Sequence, residues 1–63
     1  MINDYGEIYN YIFEFVENCF DDEERLDWLR ECKNHPNYVS SNYNPKIVKE
    51  VCEELIEAVK EDM

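Results

Sequence analysis

The stretch NPKIVKEVCEELIEAVK, residues 44–60, decides the fold. Asn44 followed by Pro45 is a helix start: the Asn side chain accepts a first-turn N–H, and the proline occupies the first helical position, where an amide hydrogen has no partner to lose. Behind it, Ile47, Val48, Val51, Cys52, Leu55, Ile56 and Val59 recur at steps of three and four. That spacing closes one apolar face of an α-helix. Glu50, Glu54, Glu57 and Glu61 fall together on the opposite face. The pattern predicts a helix running to about Lys60, buried along one side against something else.

What it packs against is read by working back toward the N-terminus. Residues 34–44 carry no helical period and are rich in Asn, Ser and Tyr, which reads as a connecting loop. Before the loop, Asp21, Asp22, Glu23 and Glu24 open a second helix, since carboxylates are favourable beside the unpaired N–H groups of a helix start. Trp28, Leu29 and Cys32 form its inner face, with Leu26 at the margin, and Asn34, His35 and Pro36 end it. Earlier still, Tyr5, Ile8, Tyr9, Ile12, Phe13, Val16, Cys19 and Phe20 make an amphipathic stripe, with Glu7, Asn10, Glu14, Glu17 and Asn18 behind it. Asp4 and Glu7 resemble a capping box at its start. Tyr11 and Phe15 widen the stripe beyond one edge, which predicts contact with more than one neighbouring element or with a second copy of the chain. The reading is all-α: a single compact three-helix domain over residues 1–63, with a tight first connection and a longer loop between helices two and three.

With 44% hydrophobic and 14% aromatic residues, the chain is too apolar for a disordered acidic tail. No run approaches the length of apolar residues that a membrane span needs, and there is no basic secretory start. Three cysteines at wide spacing, Cys19, Cys32 and Cys52, do not resemble a secreted disulfide framework. Reduced thiols and a cytoplasmic location are expected.

Charge carries the functional reading. The chain has 16 Asp and Glu against 6 Lys and Arg, a formal net charge of −10. A surface so acidic repels phosphates, which argues against direct nucleic-acid binding and for a cationic protein partner. The acids are concentrated at the two ends of the sequence; Cys32 to Lys49 contains none and bears Lys33, Lys46 and Lys49. Residues 50 to 61 of a helix span roughly 16 Å, so Glu50, Glu54, Glu57 and Glu61 present a rod of carboxylates able to imitate a phosphate strand. The plainer reading of any one of these acids is a solvated helix face that keeps the protein soluble. The residues expected to meet a partner are Glu7, Glu14, Glu17, Asp21 and Asp22 on the first helix and the turn after it, Glu50, Glu54, Glu57 and Glu61 on the third, and Tyr38 and Tyr43 on the acid-free loop. Exposed phenols there would pack against a partner while their hydroxyls find polar groups.

In size, net charge and carboxylate rows the chain resembles the small acidic inhibitors by which phages and mobile elements block host nucleic-acid-binding machinery, including DNA-mimic anti-restriction and anti-CRISPR proteins. The resemblance implies a basic nucleic-acid-binding protein or ribonucleoprotein effector of a bacterial host as target. Some inhibitors of this class instead block assembly or hold an enzyme inactive, which would shift the weight to the aromatic and loop residues. The alternatives are a homodimerising assembly module built on the wide aromatic stripe, and an antitoxin-like neutraliser of a basic protein.

Chemistry is not expected. Cys32 and His35 form a C-x-x-H pair that Cys19 and Cys52 could complete as a zinc site, but each cysteine falls on or beside an apolar stripe, where thiols pack as small hydrophobes. No metal or cofactor is predicted. His35 is the sole histidine and has no nucleophile or acid at catalytic spacing. Gly6, the sole glycine, leaves no phosphate-cradling loop, and the acids from Asp21 to Glu24 lack the spacing of a calcium loop.

Overall fold

A computed structural model describes residues 1–19 and 21–62. The chain forms α1 (Tyr5–Glu17), α2 (Asp22–Asn34), a 3-10 turn (Pro36–Tyr38) and α3 (Pro45–Asp62), with no sheet among the described residues. It is the three-helix domain the periodicities predict. Stripe member Phe20 lies outside the described residues, and α1 already ends at Glu17.

Each helix begins on the side chain that its sequence offers. Asp4 accepts the Glu7 N–H at 3.1 Å and Asp21 accepts the Glu24 N–H at 2.8 Å. Asn44 Oδ1 accepts the Lys46 N–H at 3.0 Å, and the Asn44 carbonyl takes the N–H groups of Ile47 and Val48. Asp4 thus makes its half of the expected capping box; the return bond from Glu7 does not form among the described residues. The end of α1 is closed from outside. Arg25 Nε donates to the Val16 carbonyl at 3.2 Å while its Nη1 meets Asp22 at 3.4 Å, so a cation sits at the negative end of α1 and ties it to the start of α2.

The helices run up, down and up. The start of α1 meets the middle of α3 through Tyr5 and Glu54, the starts of α2 and the end of α3 meet around Asp22, Arg25, Val59 and Asp62, and Lys33 at the end of α2 pairs with Glu53 at 3.4 Å. α3 packs against both other helices, which touch each other least. Among the described residues, Val48, Val51, Cys52, Leu55, Ile56 and Val59 supply half of the twelve buried apolar side chains, which makes α3 the spine of the core. Ile8, Ile12 and Val16 of α1 and Leu26, Leu29 and Cys32 of α2 close around it.

Two inner-face expectations change. Leu26, expected at the margin of α2, is buried, whereas Trp28, expected inside, is only half-buried. Leu26, Leu29 and Cys32 follow one another at steps of three, and Trp28 stands about 100° from Leu29 around the axis, on the flank turned to α1. On α1 the burial is confined to the centre of the stripe, and Tyr5, Tyr11, Phe13 and Phe15 remain exposed.

The loop is more ordered than its composition suggests. Pro36 begins the 3-10 turn, and the N-terminal residues clasp the stretch before α3: Ile2 N–H donates to the Asn42 carbonyl at 2.6 Å and Asn44 N–H to the Ile2 carbonyl at 2.9 Å, an isolated parallel bridge between Ile2 and Tyr43. Asn44 Nδ2 adds a bond to Asn3 Oδ1 at 2.9 Å.

Candidate partner-binding surface

The outer face of α3 carries the longest acidic array. Glu50, Glu54, Glu57 and Glu61 are all exposed, on the side away from the core helix faces. Among the described residues the ion pairs are Arg25 with Asp22, Arg30 with Asp27 and Lys33 with Glu53, so none of these four carboxylates is neutralised by a cation. Glu54 instead accepts a hydrogen bond from the Tyr5 hydroxyl. That bond, aided by burial and by the charges of Glu54 and Glu50, pushes the Tyr5 phenol up to about 12.

On α1, Glu7, Glu14 and Glu17 are exposed. Glu17 lines a hollow with Ala58, Val59 and Asp62 at the end of α3, whereas Glu7 stands apart from the α3 row. Tyr5, Tyr9 and Phe13, one turn apart, lie along the flank of α1 nearest α3, with ring centroids 6.2 and 6.0 Å apart, while Glu7 acts on the other flank, where its charge helps raise the Tyr43 phenol after burial. The two acidic residues at the start of α2 have local work: Asp21 caps the helix and Asp22, its first residue, pairs with Arg25.

The loop tyrosines diverge. Tyr38 is 72% exposed and stacks on His35 with centroids 5.0 Å apart. Tyr43 is half-buried, held by the bridge to Ile2, and meets Tyr11 edge-on at 5.6 Å.

The sequence reading missed a groove between α1, α2 and the 3-10 turn. Phe15 and Trp28 stack face to face with centroids 4.3 Å apart and planes 13° from parallel, and together with Tyr11, Glu31, Cys32 and Tyr38 they line a hollow of about 210 Å³. Its signal lay in Tyr11 and Phe15, one turn apart and off the main stripe. Their contact with α2 and the loop accounts for the width of the α1 face through more than one neighbouring element.

The cysteines are free thiols, and Cys32 and Cys52 are buried. Burial, then the Glu31 charge, pushes Cys32 up to about 11; burial, then the neighbouring Cys32 and Glu53, pushes Cys52 up to about 12. Among the described residues no three His, Cys, Asp or Glu side chains converge as a metal site, and no helix is long and apolar enough to cross a membrane. No protein-family model, curated protein or solved structure matches this chain.

Proposed function

We propose that this protein binds and occludes a cationic surface of a nucleic-acid-binding protein or ribonucleoprotein in a bacterial cytoplasm, its carboxylates standing in for phosphates. The observation that carries the reading is the α3 row. Glu50, Glu57 and Glu61 stay exposed without a cation partner among the described residues, although Lys46, Lys49 and Lys60 share the same helix. Lys46 and Lys60 stand at helical spacing from Glu50 and Glu57 yet reach ion-pair distance of neither among the described residues, which leaves the row open to guanidinium and ammonium groups from outside. Inhibition of the anti-restriction or anti-CRISPR kind follows if the occluded surface is a nucleic-acid groove; no reaction is required of this chain.

Affinity capture from a bacterial lysate at low and high salt, with a Glu50→Lys/Glu54→Lys/Glu57→Lys variant alongside, tests the reading. A basic nucleic-acid-binding protein should be retained at low salt by the parent chain alone and released as ionic strength rises. Equal retention by the charge-reversed variant overturns it.

A second reading rests on the exposed ladder of Tyr5, Tyr9 and Phe13: a homodimer joined along α1. Sedimentation equilibrium distinguishes it, since a dimer held by aromatic burial persists in salt that disrupts carboxylate contacts.

A further inference from the structure

The groove beside α1 has a composition that selects one kind of occupant. Tyr11, the stacked Phe15 and Trp28 pair, and Tyr38 line it beside Cys32 and Val39; among the described residues Glu31 contributes the one carboxylate and no Lys or Arg lines it. Phe15 is 49% and Tyr11 46% exposed, so the rings are open to solvent rather than sealed into the core. At about 210 Å³ the hollow is below the usual range for a drug-sized ligand and suits one side chain.

We propose that this groove receives an arginine side chain of the cationic partner, its guanidinium lying against the Phe15–Trp28 stack and the Tyr38 ring and donating to the Glu31 carboxylate. Aromatic faces attract cations through their negative π-density, and among cations the planar, weakly hydrated guanidinium stacks best while keeping its edge N–H groups for a carboxylate. Lysine fits less well: its compact, strongly hydrated ammonium is better served by the open α3 row. A purely apolar side chain would leave the exposed Glu31 carboxylate to water and gain nothing from it. A second copy of this chain would bring another −10 of charge against the first, which disfavours self-docking here.

The inference rests on the cationic-partner reading and adds the anchor to it. Trp28 is the chain's single tryptophan, so its emission reports the groove directly. The test titrates the full chain with hexa-arginine and, separately, hexa-lysine peptides of equal charge at low salt, following Trp28 fluorescence and total binding by calorimetry. Tyr38→Ala and Glu31→Gln are the variants, both at exposed positions, with circular dichroism confirming the fold. Hexa-arginine should change Trp28 emission where hexa-lysine does not, and each variant should weaken hexa-arginine binding by roughly threefold to tenfold. If both peptides bind, Trp28 is silent and only neutralisation of Glu50, Glu54 and Glu57 weakens them, the anchor is wrong and the acidic-surface reading stands. If hexa-arginine reaches the groove and neutralising the α3 row changes nothing, the anchor stands and the acidic-surface reading falls. If neither peptide binds, both readings fall.

Discussion

Replacing Glu57 and Glu61 together with glutamine should make the protein more stable and, under the proposed function, weaken its hold on a cationic surface. Glu57 has Glu53 and Glu54 one turn before it and Glu61 one turn after, all on a helix surface where like charges at these spacings cost about 0.2–0.5 kcal/mol per pair. The double variant removes three such repulsions and forfeits one attraction of similar size, between Glu57 and Lys60. It also lifts a carboxylate from the last turn of α3, where the helix dipole disfavours negative charge. The net gain is about 1 kcal/mol, or roughly 4–8 °C in Tm for a domain of this size. Thermal melts followed by circular dichroism at low ionic strength measure it. The gain should shrink toward zero in molar salt, where the screening length falls to about 3 Å. A melting temperature that stays put or drops at low salt would refute the reasoning, because it would mean the row is already neutralised within the fold.

Alkaline stability should follow Tyr5. Its phenol ionises at about 12 when folded, above its ordinary 10.0, so the stabilising bond to Glu54 is intact below pH 10 and is lost as pH rises from there through 12. A spectrophotometric tyrosine titration should show the latest-ionising phenol moving back toward the others in Glu54→Gln, with Tyr43 still raised by burial. Thiol labelling of the native protein should modify Cys19, the one partly exposed cysteine, well before Cys32 and Cys52. Burial protects those two thiols and holds them protonated. Peptide mapping by mass spectrometry reads the order, and fast labelling of Cys52 in folded protein would contradict the packing.

The fold was legible because its signals are local. Asn44 with Pro45, Asp21 before its acidic turn, and Asp4 before Tyr5 each mark a helix start that the backbone then uses. The α3 stripe is buried almost as written, with only Ile47 left half-exposed. The exchange of roles between Leu26 and Trp28 was not legible, since bulk drew the tryptophan inward while the angular position of α2 against α3 chose leucine. The clasp of Ile2 on Tyr43 was hidden for a different reason: a single parallel bridge leaves no alternation for a sequence to display. The acidic rows could be read from spacing alone. The groove could not, because it is assembled from residues on two helices and a turn whose approach is set by packing.

α3 holds half of the buried apolar side chains among the described residues on one face and the acidic row on the other, so keel and display are a single rod. Any slip of its register by one residue would swing the carboxylates about 100° around the molecule while driving glutamates toward the interior. The hydrophobic seating of Val48, Val51 and Leu55 therefore fixes the bearing of Glu50, Glu54 and Glu57, and the outer surface is free to vary in sequence without losing its aim.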